Sequence, residues 1–193
     1  MLSSNTITRT QIYSQFGFDS TVNAALDDLL FSYSLIEFDN HNYINVEKLN
    51  SLGITKDDFI EFTNDVLEFI GDEIYTITKL NNRGFNLVFD YLGFGDIFYE
   101  SLIRRSREFN YIYLYNTLFF SKDEKLTRNS IVINKIREYR IIDTQELISI
   151  IESEYGIKLK KDHIKEMIAG TSVYYNAIMD KFYDSYDTFK EMI

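Results

Sequence analysis

Helical patterns that end at glycine, each set followed by a pair of extended runs, recur three times along this chain of 193 residues. The period is about 65–70 residues, an internal repeat in which each copy is one small folding unit. A unit of this size buries only a marginal core by itself, so we expect neighbouring units to pack together. This recurrence constrains the fold more than any single residue does.

The last third of the chain shows the pattern most clearly. Apolar residues recur at helical spacing over 127–139, and a short β-prone run follows at 140–142. Two further helical patterns end at Gly156 and Gly170, because glycine readily adopts the left-handed conformation that terminates a helix. We therefore predict a helix, a short strand and two more helices in that order.

A β-hairpin is predicted to close this last unit. Two β-prone runs, 173–178 and 181–183, flank Met179-Asp180, which is about the length of a hairpin turn. Within the same unit, Asp143 is predicted to cap the second helix, with Glu146 three residues later completing a capping box.

The middle of the chain repeats this order with different residues. Its clearest elements are two helices with an apolar stripe, one capped by Thr55 and one that starts near Asp96. The other predicted elements are a strand at 73–78, a helix at 85–92, and a hairpin over 111–120 that turns at Asn116-Thr117.

The first segment carries most of the same order. A short helix capped by Thr8 ends at Gly17, a longer helix begins after Asp19, and a hairpin is predicted over 35–46. The opening helix of the unit is missing. Either the chain begins within a unit or this unit is a reduced one.

This order of elements resembles that of the winged-helix superfamily over nearly the full chain. The resemblance implies an α+β, mainly helical fold of tandem winged-helix units, each with three helices and a small β-hairpin wing. With boundaries near Gly53 and Asp123-Glu124-Lys125, the units would be 1–53, 54–123 and 124–193, the first of them reduced. In such units the third helix usually enters the major groove of DNA.

Composition excludes several classes of protein. The chain has no cysteine, which excludes disulfides and thiolate-bound metals. No apolar run approaches the ~20 residues of a membrane-spanning helix, and residues 1–6 lack the features of a signal peptide. We therefore expect a cytoplasmic protein with no membrane contact. The richness in Ile, Asn, Lys, Tyr and Phe is typical of AT-rich bacterial or phage genes.

The net charge is −10, and its distribution matters more than its sum. The three predicted units carry −4, −5 and −1 in chain order. An acidic protein repels the DNA backbone at long range, so a nucleic-acid contact requires a local basic face.

Two basic clusters are the candidate nucleic-acid-binding residues. Both fall on predicted third helices, one at the end of the helix in the middle unit and one at the start of the helix in the last unit. Arginine suits bidentate contact with guanine or phosphate, whereas lysine contacts phosphate as a point charge. The competing interpretation is an ordinary solvated helix face. The candidates are Arg104, Arg105 and Arg107, and then Lys160, Lys161, His163 and Lys165.

No sequence motif indicates catalysis or metal binding. His41 and His163 are the only histidines, and neither has a second ligand at a metal-site spacing. No glycine-rich phosphate loop and no nucleophile motif is present. We therefore predict a binding module that is not an enzyme, with no cofactor, no metal and no small-molecule substrate.

The partner is left open between two classes of macromolecule. DNA is favoured by the repeated basic helices. The alternative is an acidic protein-interaction module, either a subunit of a bacterial assembly or a phage-type inhibitor that mimics DNA. It is favoured by the net charge and by Asp27 and Asp28, which replace basic residues on the third helix of the first unit.

Overall fold

The computed structural model describes residues 6–122 and 126–192. The boundary predicted near Asp123-Glu124-Lys125 lies outside the described residues, as does most of the segment 1–6. The fold is α+β, with small antiparallel sheets. Within the described ranges, no helix is long and apolar enough to cross a membrane.

Helices and strands follow one another in short alternation along the chain. The α-helices are α1 (Arg9–Phe16), α2 (Ser20–Phe31), α3 (Lys56–Ile70), α4 (Ile77–Asn82), α5 (Asp96–Arg105), α6 (Arg128–Tyr139), α7 (Thr144–Tyr155), α8 (Lys161–Ile168) and α9 (Tyr186–Lys190). The strands are β1 (Thr6–Thr8), β2 (Leu35–Asp39), β3 (Asn42–Asn45), β4 (Asn110–Leu114), β5 (Thr117–Ser121), β6 (Ile141–Asp143), β7 (Tyr174–Asn176) and β8 (Lys181–Tyr183).

The chain divides into two compact units. The first unit is Met1–Gly71 with Gly84–Phe109, and the second is Asp72–Arg83 with Asn110–Ile193. The predicted middle unit, 54–123, therefore contributes residues to both. The division into three repeated units stays a prediction about sequence order.

The first unit begins with the elements predicted there and one strand that was not predicted. Thr8 and Gln11 form a capping box for α1, and the Asp19 carboxylate accepts hydrogen bonds from two backbone amides at the start of α2. The predicted hairpin is β2–β3. The additional strand, β1, pairs antiparallel with β3, so the sheet order is β1-β3-β2.

An aromatic core holds the rest of the first unit together. The Phe59 ring on α3 lies 5.3 Å from the Phe89 ring and 6.0 Å from the Phe98 ring on α5, between centroids. The helix predicted at 85–92 is wrong. That segment is irregular except for a 3-10 turn at Asp90–Leu92, and Phe89, 4% exposed, enters the core from it. The Leu87 carbonyl in this segment accepts hydrogen bonds from the Asp90 amide and from the hydroxyl of Tyr99 on α5.

The strand predicted at 73–78 is also wrong. One isolated bridge joins Tyr75 to Phe120, and then Thr76 caps α4 by accepting a hydrogen bond from the Lys79 amide. The β-branched residues of this segment suggested a strand. A capping threonine and the burial of Ile77 and Leu80 favour the helix instead.

Residues 126–192 of the second unit confirm the predicted order of helix, strand, helix, helix and hairpin. The strand order is β6-β8-β7. The core contains fully buried side chains from α6, α7 and α8, among them Ile131, Ile151 and Ile164. α6 packs on α8 and β6.

Three details of this segment differ from prediction, the first being an additional helix, α9, after the hairpin. The Asp143 side chain does not cap α7. Instead, the Thr144 amide donates to the Asp180 carbonyl, which ties the helix start to the hairpin turn. That turn spans four residues, 177–180, rather than two.

Candidate nucleic-acid interface

The seven predicted interface residues belong to different compact units. Arg104, Arg105 and Arg107 lie at the end of α5 and just after it, in the first unit. The other four, Lys160, Lys161, His163 and Lys165, lie at the start of α8 or on it, in the second unit. Each cluster is therefore described by itself.

Two of the three arginines are held in ion pairs inside the first unit. The Arg104 Nη2 atom lies 2.6 Å from Glu37 Oε2 on β2, with both side chains less than a fifth exposed. The Arg105 Nη1 atom lies 3.4 Å from Asp27 Oδ1 on α2, and the guanidinium stacks over the Phe31 ring. These pairs join α5 to β2 and α2, so a phosphate would have to displace a carboxylate. Arg107, in the turn after α5, is exposed.

The lysines of α8 occupy the side of the helix that faces away from the core. Ile164, Met167 and Ile168 are buried at the i, i+3, i+4 spacing of one helix face. The opposite side therefore carries the polar residues. Lys160, at the N-terminal boundary of α8, is exposed.

The start of α8 is bonded to the hairpin through one carboxylate. Asp180 Oδ1 lies 2.7 Å from Lys161 Nζ, and it accepts hydrogen bonds from the hydroxyls of Thr144 and Tyr175, each at 2.7 Å. The Lys161 ammonium, followed by these two hydroxyls, lowers the pKa of Asp180 well below its usual range. The hydrogen bond to Asp180 in turn raises the pKa of Lys161.

The Tyr175 ring brings two of the lysines together. The Nζ atoms of Lys161 and Lys165 lie 5.1 Å and 4.7 Å from the centroid of this ring on β7. Such cation–π contacts hold an ammonium group in place without removing its charge. The hairpin thus holds two lysines of α8 on one surface.

His163 has a different environment from the lysines. Its ring stacks on Tyr115, with 5.2 Å between centroids, and its Nδ1 atom has no hydrogen-bond partner among the described residues. A pocket of about 420 Å³ opens beside it, lined also by Arg128, Asn129 and Glu166. The imidazole therefore packs against Tyr115, and it also lines a polar pocket.

Sequence reasoning missed the tip of the hairpin. Ile178 is 96% exposed and Met179 is 47% exposed, although both are apolar. The Asn176 side chain holds the turn by accepting hydrogen bonds from both of their backbone amides. The sequence Asn176-Ala177-Ile178-Met179 contains no recognised motif, so only the turn geometry reveals the exposed apolar pair.

A buried ionic network lies elsewhere in the second unit. Lys79, 1% exposed, and Lys135, 7% exposed, lie 2.9 Å and 2.6 Å from the two carboxylate oxygens of Glu154. Burial tends to raise the pKa of Glu154, but the hydrogen bonds from the two ammonium groups outweigh burial and lower it. The network joins α4, α6 and α7, which is a structural role. No group of three or more His, Asp or Glu in the described ranges could hold a metal ion.

Comparison with protein-family models, curated proteins and solved structures finds no match to this chain.

Proposed function

We propose that this chain is a tandem winged-helix protein whose residues 126–192 bind duplex DNA, with α8 in the major groove and the β7–β8 hairpin as the wing. One observation carries the proposal. The basic residues of α8 lie on its solvent side, beside a hairpin, in the succession α6-β6-α7-α8-β7-β8 with β6 paired to β8. A helix presented in this way, with a second element beside it, is how such modules contact the groove and its phosphates.

The chemistry of this surface suits the phosphate backbone. Lys160 and Lys165 offer ammonium groups as point charges, and Lys181 lies on the wing strand β8. Phosphate contacts set position and carry no sequence information, so the proposal concerns affinity for duplex DNA. Because the whole chain carries −10, binding is expected to be weak at physiological salt and to strengthen as salt is lowered.

The cluster in the first unit contributes less to this proposal. Arg104 and Arg105 are engaged with Glu37 and Asp27, which leaves Arg107 as the exposed member. The prediction that all three arginines contact DNA therefore depends on the loss of two internal ion pairs. DNA contact by the second-unit cluster requires the loss of one internal ion pair, that between Lys161 and Asp180.

Fluorescence anisotropy with a labelled duplex of about 20 base pairs tests the proposal. Each phosphate contact contributes about 0.9 to the slope of log affinity against log salt. The double variant Lys160→Ala/Lys165→Ala should bind more weakly, with a slope smaller by about 1.8. Lys48→Ala/Lys190→Ala removes two exposed lysines outside this surface and should change the slope little. Absence of salt-sensitive binding at low ionic strength would overturn the proposal.

The acidic protein-interaction module remains the second candidate, and one observation favours it. The exposed side of α3 carries four carboxylates, Asp57, Glu61, Asp65 and Glu68, and no described basic residue lies among them on that helix face. This row of carboxylates could occupy the surface with which a basic partner protein binds DNA. In that case the variant Asp57→Lys/Glu61→Lys/Asp65→Lys should no longer bind the partner. A partner that co-purifies equally with both forms would count against this function.

A further inference from the structure

The pocket of about 420 Å³ beside His163 lies wholly within the second unit. Pockets that bind small ligands measure about 300–1,000 Å³ and combine apolar walls with a few polar groups. Here the apolar walls are Leu114 and Met167, and the polar side chains are those of Tyr115, Arg128, Asn129, His163 and Glu166. The sequence did not predict this pocket, because its residues come from three segments that lie far apart in the chain.

Three polar side chains of this pocket are unpaired, unlike the charged groups elsewhere in the second unit. Arg128, Asn129 and Glu166 are exposed, and they make no side-chain hydrogen bond or ion pair with the residues that the structure describes. By contrast, Asp180 accepts bonds from three side chains, and Glu154 pairs with two buried lysines. The donors and acceptors of the pocket are therefore available to a ligand.

Tyr115 lies at the pocket in a backbone conformation that is unfavourable for tyrosine. The hairpin turn, predicted at Asn116-Thr117, is Tyr115-Asn116, and both of its residues have a positive φ, 49° and 64°. Such turns favour asparagine or glycine, because a β-carbon is strained there. The ring of Tyr115 is 51% exposed and stacks on His163. Strain of this kind often occurs where a side chain is placed for binding.

We propose that this pocket binds a guanine nucleotide. Guanine carries two adjacent donors, its ring N–H and its exocyclic amino group, and the Glu166 carboxylate offers two acceptor oxygens. Adenine has an acceptor in place of the ring N–H and pairs poorly with a carboxylate. The guanidinium of Arg128 suits the phosphate, and the exposed ring of Tyr115 suits stacking on the base.

The guanine nucleotide is either free or an unpaired residue of a nucleic-acid strand, since both present the same base and phosphate. Calorimetric titration of the full chain with guanosine monophosphate (GMP) and adenosine monophosphate (AMP) tests recognition. We expect saturable binding of GMP and at least about tenfold weaker binding of AMP. Short single strands of thymidine with one central dG or dA test the strand. Tighter binding of the dG strand than of GMP would assign the guanine to an unpaired strand, and the reverse to a free nucleotide.

Two variants separate the roles of the base and the phosphate. Glu166→Gln replaces one acceptor oxygen by a donor, so the preference for GMP over AMP should fall to within about threefold. Arg128→Ala should weaken GMP about tenfold but guanosine, which lacks the phosphate, less than about twofold. The matched controls are Glu146→Gln on α7 and Arg137→Ala on α6, which are also exposed and lie outside the pocket. Their affinities should stay within about twofold of wild type.

Three outcomes would overturn the proposal. The first is no saturable binding of either GMP or the dG strand, and the second is AMP binding within about threefold of GMP. The third is a preference for guanine that survives Glu166→Gln. The titration with GMP contains no duplex DNA, and Lys160→Ala/Lys165→Ala changes no residue of the pocket. Loss of duplex binding in that variant should therefore leave GMP affinity unchanged, so either proposal can fail without the other.

Discussion

Lys161 and Asp180 form the bond that joins the start of α8 to the turn of the β7–β8 hairpin, with 2.7 Å between Nζ and Oδ1. The same carboxylate accepts hydrogen bonds from Thr144 at the start of α7 and from Tyr175 on β7. One half-buried acidic residue therefore sets the relative placement of three elements. It also neutralises one of the lysines that the proposed DNA surface would use.

Asp180→Asn should strengthen DNA binding if that surface is used. The amide keeps an acceptor oxygen for Thr144 and Tyr175 but releases the charge of Lys161, so the salt slope should steepen by about 0.9. Anisotropy titrations at several salt concentrations measure this. The control is Asp187→Asn, which removes an equal charge from α9 at a side chain that is 86% exposed. If the control gains as much DNA affinity as Asp180→Asn, net charge alone is responsible.

The contribution of Asp180 to stability should disappear in acid. Its pKa in the folded chain lies below the ordinary value of 3.8, so in this range the unfolded chain binds more protons than the folded chain. The stabilisation is complete above pH 3.8 and is lost as the pH falls through the lower, folded pKa. Thermal unfolding of wild type and Asp180→Asn should therefore differ at pH 7, and the difference should shrink as the pH falls below 3.8.

Glu154→Ala should destabilise the second unit by about 2–3 kcal/mol, because Lys79 and Lys135 lose their shared buried partner and keep only the more exposed carboxylates of Glu73 and Glu138. Glu138→Ala removes a carboxylate that is 57% exposed and also contacts Lys135. Its effect should stay within about 1 kcal/mol. Urea unfolding followed by circular dichroism gives both values. Equal losses would mean that the network is not buried as described.

Gly156→Ala should destabilise more than Gly170→Ala. Both glycines have a positive φ, +76° and +75°, so each alanine bears a similar backbone strain of about 1–2 kcal/mol. A Cβ at residue 156 would lie only 2.7 Å from Thr78 Oγ1, whereas at residue 170 it meets open space. The collision should add about 1–3 kcal/mol. Thermal unfolding midpoints compare the two, and Thr78→Ala should recover part of the Gly156→Ala loss.

Arg104→Ala should affect stability rather than DNA affinity. It leaves Glu37, which is 10% exposed, without its ion-pair partner, a loss of about 2 kcal/mol for a partly buried pair. Lys160→Ala should show the opposite, with weaker binding and an unchanged unfolding midpoint, since Lys160 is exposed. Calorimetry and anisotropy on both variants separate the two roles. If folded Arg104→Ala binds DNA more weakly than wild type, Arg104 belongs to the DNA interface.

Local signals predicted most of the regular elements. Thr8, Asp19 and Thr55 cap helices as predicted, and Gly156 ends α7 in the left-handed conformation. The wrong predictions occur where two local sequence signals favour different secondary structures. The segment around Thr76 has residues suited to a strand and also a capping threonine, and burial of Leu80 decides for the helix.

The candidate site was predicted less completely than the fold. The lysines of α8 lie on its solvent side, as helical spacing implies, because an apolar face on one side leaves the other for charge. Arg104 and Arg105 have the same local pattern, yet their partners Glu37 and Asp27 are 67 and 78 residues distant in sequence. No local rule identifies such a partner.

The amino-acid sequence by itself determined where most helices start and stop, which face of them is apolar, and the order of helices and strands from α6 to β8. These depend on interactions within a few residues. Only the tertiary structure decided that α3 and α5 belong to one unit and α4 to another, that two arginines are paired, and that Phe16 is 60% exposed. These depend on contacts between residues far apart in the chain, where packing and charge pairing outweigh local preference.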